Sequence, residues 1–218
     1  MLSSATTALE KFVTDTWVKA TWDQFLMLAD NPDYENGRFY YHHGYVRIEM
    51  SPVGPRHGRQ NSVIAYLVVL CASLRNIPIF VFTNTSFRKT GLDEFQPDLA
   101  FYIGSGLKVP PDNNSPVDLN EYDPPTLVVE IGATSINDDL GQKRLLYERS
   151  GVREYWAVNT NLRDTIAFSI SDRRSGEIEE SQVLPGLAIS LVESALQRSE
   201  TEDDGAITRW LLQAFSQG

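Results

Sequence analysis

The chain reads as an α/β fold, a β-sheet with helices packed against it, and three observations carry that reading. Short runs rich in aromatic and β-branched residues recur along it ("FYYHHGYVRI", "PIFVFT", "DLAFYI", "TLVVEI", "EYWAVN", "TIAFSI"), a composition suited to a pleated, half-buried surface. Between residues 59 and 76 the apolar positions Val63, Ile64, Leu67, Leu70, Cys71 and Leu74 fall at helical spacing. The two kinds of signal alternate in the order helix, hairpin, helix, strands, helix, strands, which predicts one layered core. With 218 residues, 42% apolar and 22% charged, the chain is long enough to bury it.

Each element has a local reason. The first fifteen residues are small and polar and are expected to be flexible. One domain is then expected over 16–192, with an acidic linker and a C-terminal helix over 193–218. In "TWDQFLMLADNP", Thr21 can cap a helix, Gln24 three residues on completes a capping box, and Asn31-Pro32 stops it. "GRFYYHHGYVRIEMSP" reads as a β-hairpin turning at His43-Gly44, and the helix of residues 59–76 follows. "PIFVFTNTSFRKT" predicts one or two strands and "EFQPDLAFYIG" another. Residues 105–125, rich in Pro, Asn and Asp, predict a long surface loop. Beyond the strand that ends near Glu130, a helix spans about 138–150 and stops at Gly151. "EYWAVN" and "TIAFSI" are strands, residues 173–176 a turn, and residues 178–183 a further strand. "ESALQRSETEDDG" reads as an exposed linker. "AITRWLLQAFSQ" reads as an amphipathic helix whose stripe of Ile207, Trp210, Leu211 and Phe215 meets either its own domain or a second copy.

Composition excludes several classes. No segment reaches the roughly 18 apolar residues that span a bilayer. "MLSSATTALEKF" lacks the charged start and apolar block of a secretory signal, so a cytoplasmic location is expected. A single cysteine, Cys71, allows neither an internal disulfide framework nor a cysteine metal cluster, and on an apolar helix it reads as a buried thiol. The formal net charge of −10 opposes electrostatic coating of nucleic acid. It leaves open an enzyme that reaches a phosphodiester through a metal ion and a local basic patch. HExxH, GxSxG and the Walker glycine loop are absent.

Three features remain that could carry chemistry. In "QPDLAFYI", Asp98 follows Pro97 and opens an apolar strand; in "TLVVEIGATS", Glu130 ends one. A carboxylate beside an apolar core needs a partner or a solvated cleft. In "DDLGQKRLLY", Asp139, Lys143 and Tyr147 recur every four residues and share a helical face. Taken singly, Asp98 could cap a turn, Glu130 could sit on a solvated edge, and Asp139 with Lys143 could be a surface pair. Taken in order, two carboxylates on adjacent strands can share a divalent cation that keeps its waters. A lysine one helix later can orient water and stabilise charge on a phosphate. That is the equipment of metal-assisted phosphodiester hydrolysis.

"QPDLAFY", "PPTLVVEIGATS", "DDLGQKRLLYERSGVREYWAVN" and "LPGL" resemble the bacterial family described as putative restriction endonucleases, in the PD-(D/E)XK nuclease superfamily, over residues 37–187. The resemblance implies a restriction-endonuclease-like fold, a mixed central β-sheet flanked by helices, here with an N-terminal helix and β-hairpin. It implies that Asp98 and Glu130 are the catalytic acids that hold Mg²⁺ or Mn²⁺, and that DNA is the substrate. The superfamily pattern expects a lysine two residues after Glu130, where this chain has Gly132; Lys143 on the following helix is the matching position. Asp139 would hold Lys143, and Gln142 before it would help orient water. Glu49 and His57 flank "MSPVGPRH", a segment also similar to the family. Glu49 would add a metal ligand and His57 would contact phosphate, unless they are a strand-edge carboxylate and a surface histidine. A homodimer would suit cleavage of both DNA strands. The alternative is a catalytically inactive chain of the same fold, serving protein association or nucleic-acid binding.

Overall fold

The computed structural model describes residues 12–133 and 135–216; the expected flexibility of residues 1–15 therefore lies largely outside the described residues. After the short strand β1 (Val18–Lys19), the capping box at Thr21 forms as expected: Gln24 N donates to Thr21 Oγ1 at 3.2 Å and Thr21 N to Gln24 Oε1 at 2.8 Å. It opens α1 (Trp22–Ala29). The hairpin of β2 (Arg38–His42) and β3 (Tyr45–Glu49) turns at His43 and Gly44, both at positive φ, as a two-residue turn requires. Helix α2 (Pro55–Leu74) starts four residues before the expected position, because Pro55 suits a first helical turn where no N–H partner is needed.

The segment "EFQPDLAFYIG" makes two strands rather than one. After β4 (Ile79–Thr83) and β5 (Phe87–Lys89), β6 (Asp93–Phe95) pairs with β2 and β5, whereas β7 (Leu99–Ile103) pairs with β4. Pro97 lacks the N–H that a continuous ladder needs, so the chain changes sheet at Gln96–Asp98. The long loop holds only β8 (Val117–Asp118). Strand β9 (Leu127–Gly132) leads into α3 (Ile136–Asp138), a π-helical turn (Asp139–Lys143) and α4 (Arg144–Ser150), closed by Gly151 at φ 87°.

Strands β10 (Glu154–Asn159), β11 (Asp164–Ser171) and β12 (Arg174–Ile178) follow. The turn expected at residues 173–176 lies instead at Asp172 and Arg173, both at positive φ, and the last strand begins at Arg174. The expected exposed linker is corrected as well. Residues 193–198 belong to α5 (Ile189–Arg198), whose Ile189, Val192 and Leu196 share one buried stripe, before α6 (Asp204–Ser216).

The strands form two mixed six-stranded sheets, ordered β1-β3-β2-β6-β5-β8 and β12-β11-β10-β9-β7-β4. Among the described residues, only β9 with β10 and β5 with β8 run parallel. The central strands of the second sheet, β7, β9 and β10, are buried on both faces, which explains their continuous apolar runs. Leu127, Val129 and Ile131 face α2, α5 and α6, whereas Val128 faces Tyr40, Phe95, Leu146 and Tyr147 of the first sheet and α4. Ile207 and Leu211 of α6 are fully buried in the core under α2, with Trp210 and Phe215 packed against it. That stripe docks on its own domain, which removes the helix as an argument for a dimer. Among the described residues no helix is long and apolar enough to cross a membrane.

Candidate functional site

The site lies where β9 and β7 face the first sheet. Side chains alternate along a strand, so Glu130 shares the face of Val128 and points between the sheets. The antiparallel register sets Leu99 opposite Val129. Continued by one residue it brings Asp98 level with Glu130 on the same face, and the backbone N–H of Ile131 donates to Asp98 Oδ2 at 2.8 Å. Both acids are 1% exposed.

Lys143 reaches this face from the helix. Its ammonium lies 3.2 Å from Glu130 Oε2, 2.9 Å from Glu49 Oε1 and 3.1 Å from Asp139 Oδ1, over the ring of Tyr40. The π-helical turn and α4 set Asp139, Lys143 and Tyr147 on one buried face, as their spacing predicts, and Tyr147 donates to Glu130 Oε1 at 2.5 Å. A Cβ at Gly132 would overlap Ser135 Oγ and lie 2.8 Å from Asp139 Oδ2, so a side chain at this strand position would have to displace both.

Arginines complete the network. Arg38 bridges Asp98 Oδ1 at 2.5 Å and Glu49 Oε2 at 2.9 Å, and Arg47 joins Glu49 Oε1 at 2.9 Å to Asp138 at 3.0 Å. Glu49 is thus held by three cations. His57, in the first turn of α2, lies 3.2 Å from Asp98 Oδ1. A cavity of about 400 Å³ opens beside the cluster, with Arg38, Glu49, His57, Gly132 and Asp138 in its wall and Asp98, Glu130 and Lys143 buried behind them. Another hollow of about 590 Å³, between β4 and the long loop, contains none of these residues.

Sequence reasoning missed Arg38, Arg47, Asp138 and the Tyr40 hydroxyl, which donates to Glu130 at 3.2 Å. For the two arginines and Tyr40 the signal was the hairpin: a two-residue turn at His43-Gly44 pairs Arg38 with Glu49 and Tyr40 with Arg47. Gln142 is not brought in. It is exposed on the π-helical turn, and no hydrogen bond among the described residues ties it to the cluster. A residue beside Lys143 on a helix necessarily faces another way.

The electrostatics follow from crowding. Burial, reinforced by Asp98 and Asp139, pushes the Glu130 carboxyl up to about 7 despite Lys143 and Arg38. Burial also raises Asp139 against the pull of Lys143. Burial would raise Glu49 too, but Lys143, Arg38 and Arg47 hold it at about 2. Asp98 is likewise lowered, the bond to His57 and the charge of Arg38 overcoming burial. Burial opposes the charge on Lys143, yet Glu130 and its other neighbours raise it well above the ordinary lysine range, so it is an ammonium and not a base.

The donor set is of the kind a hard divalent cation takes: Glu49, Asp98, Glu130, Asp138 and Asp139 offer carboxylate oxygens, interleaved with Arg38, Arg47, Lys143 and His57. Mg²⁺ is commonly held by one or two carboxylates with water completing its shell. Among the described residues, no group of three or more His, Cys, Asp or Glu side chains is arranged to hold an ion alone. Asp98 and Glu130 would therefore share the ion with water.

Two packed mixed sheets flanked by helices, with paired acids at the junction, define a protein of the nuclease-like α/β class. The chain belongs to the Uma2 family, described as "Putative restriction endonuclease", whose model matches residues 22–202. Its fold is similar to that of "a putative nuclease belonging to DUF820" from Anabaena variabilis ATCC 29413, at TM-score 0.57 and 17% identity, covering 81% of this chain and 98% of that one. No curated protein matches it in sequence.

Proposed function

We propose that the chain is a divalent-metal-dependent endonuclease that hydrolyses DNA phosphodiester bonds, with Asp98, Glu130 and Lys143 as its catalytic residues. The observation that carries this reading is the meeting of Lys143, carried by a helix, with Glu130 at 3.2 Å. Family membership supports it. In this reading Asp98 and Glu130 hold Mg²⁺ or Mn²⁺. The bound ion supplies Lewis acidity and lowers the pKa of water. Lys143, fixed as an ammonium by Asp139 and Glu49, donates to the attacking oxygen or to the phosphate as negative charge grows. His57 at the cleft edge donates to a phosphate oxygen. The reading includes a cytoplasmic protein and a homodimer for cutting both strands; sedimentation that finds only monomer would remove the dimer.

The test is plasmid cleavage with Mg²⁺ or Mn²⁺ by wild type, Asp98→Asn, Glu130→Gln and Lys143→Met, each checked for folding by circular dichroism. Each substitution is expected to lower the rate by about 100-fold or more, as loss of one transition-state contact does. Full activity in any folded variant would strike that residue from the site.

The ion pair of Arg38 with Asp98 and the net charge of −10 favour a second reading, a catalytically inactive module for protein association or nucleic-acid binding. It predicts no metal-dependent cleavage by wild type under any of these conditions.

A further inference from the structure

We propose that Arg38 is a built-in counter-ion at the metal position, displaced from Asp98 when the cation binds and freed to grip the substrate phosphate. This rests on the metal-dependent reading above and adds how its site is switched on.

Asp98 has one oxygen committed to the fold, since Oδ2 accepts the backbone N–H of Ile131 at 2.8 Å. The other, Oδ1, faces Arg38 Nη1 at 2.5 Å and His57 Nε2 at 3.2 Å. A cation entering at Oδ1 meets the guanidinium at contact distance, and two positive charges there repel strongly. Arg38 can yield because it is tied at both ends of its fork to different residues. Nη2 keeps Glu49 Oε2 at 2.9 Å while Nη1 swings away.

The direction of that swing follows from exposure. The Arg38 side chain is 21% exposed and forms part of the cavity wall, whereas Lys143 is 1% exposed and fenced by three carboxylates. Arg47 is pinned between Glu49 and Asp138. Of the arginine and lysine side chains in this cluster, Arg38 is the one free to turn into the cleft, beside His57 on the same carboxylate oxygen. The freed Nη1 can then donate a charge-assisted hydrogen bond to a phosphate oxygen. The phosphate then removes Arg38 from competition, so metal and DNA each strengthen the binding of the other.

The experiment titrates Mn²⁺ by calorimetry into wild type, Arg38→Gln and Arg38→Lys without DNA. Arg38→Gln is expected to bind Mn²⁺ about tenfold more tightly, a typical coupling magnitude. Arg38→Lys should fall between, because one ammonium cannot bridge both carboxylates. Duplex DNA binding with Ca²⁺ present should weaken about tenfold in Arg38→Gln. Equal or weaker Mn²⁺ binding by both variants overturns the proposal while leaving the metal site standing. No Mn²⁺ binding by any of the three proteins overturns the metal-dependent reading itself. Unchanged DNA binding by a variant with tightened Mn²⁺ affinity overturns the transfer of Arg38 to phosphate. A wild-type measurement guards against misfolded variants: the Arg38 Nε–H resonance of arginine-labelled protein should shift on adding Mg²⁺, and a static resonance at saturating metal overturns displacement.

Discussion

Gly132 sits where a side chain would meet Ser135 and Asp139. A side chain on that residue would share the face of Glu130, but Ser135 Oγ and Asp139 Oδ2 already fill the space. Gly132→Ala should therefore destabilise the fold by about 1–3 kcal/mol, the cost of overpacking, read from the urea midpoint. Moving the lysine back to the strand, as Gly132→Lys with Lys143→Ala, should restore neither stability nor cleavage. Recovery of either in that double variant would refute the steric argument. The positions of Asp98, Glu130 and Lys143 could be singled out because a Pro before an acid, an acid ending an apolar run and a four-residue helical spacing are local signals. Joining Lys143 to the two acids rested on the family resemblance. Arg38 was not legible, because its two carboxylates come from another strand and another sheet. Seeing it needs the hairpin register and the sheet crossing together.

At the scale of elements, most strands and helices were legible, and the misreadings cluster where polar residues interrupt a hidden period. Residues 193–198 look acidic, but Ile189, Val192 and Leu196 set a helical stripe that starts before the acidic run. Glu154, at the head of β10, shows how a buried acid joins such elements. Its carboxylate accepts from Trp156 Nε1 at 2.7 Å and from the backbone N–H groups of Gln182 and Val183 at 2.7 and 3.2 Å, tying β10 to the segment that enters α5. Burial raises its pKa despite those donors. A carboxyl raised in the folded state binds its proton more tightly there than in the unfolded chain. Its protonated form therefore adds stability below the ordinary glutamate value, and that addition is lost as pH rises through the raised folded value. Glu154→Gln should cost about 1–3 kcal/mol by disturbing the buried donors that meet this carboxyl. The stability gap between wild type and variant should also narrow as pH climbs from about 4.5. Urea melts of both proteins across pH test this, and a gap that widens with pH would reverse the assignment.

At the scale of the molecule, α6 closes the core on the face of the second sheet opposite the site. Ile207 and Leu211 are fully buried with residues of α2 and the sheet, and Arg198 lies over the Trp210 ring at 4.5 Å. Arg59 of α2 also reaches the segment before α6, donating to the carbonyl of Glu202. Burying two such aliphatic side chains contributes about 3–6 kcal/mol, a large part of the roughly 5–15 kcal/mol that holds a domain folded. A chain ending at residue 202 should therefore lose much of its stability, seen as a lower urea midpoint. The slope of the transition should change little, because most of the buried surface is still exposed in one step. An element that served only self-association would behave differently: its removal would leave the unfolding of the monomer untouched and alter only sedimentation. An unchanged midpoint with a changed sedimentation coefficient would place α6 in an interface after all, and the apolar core under α2 would need another cover.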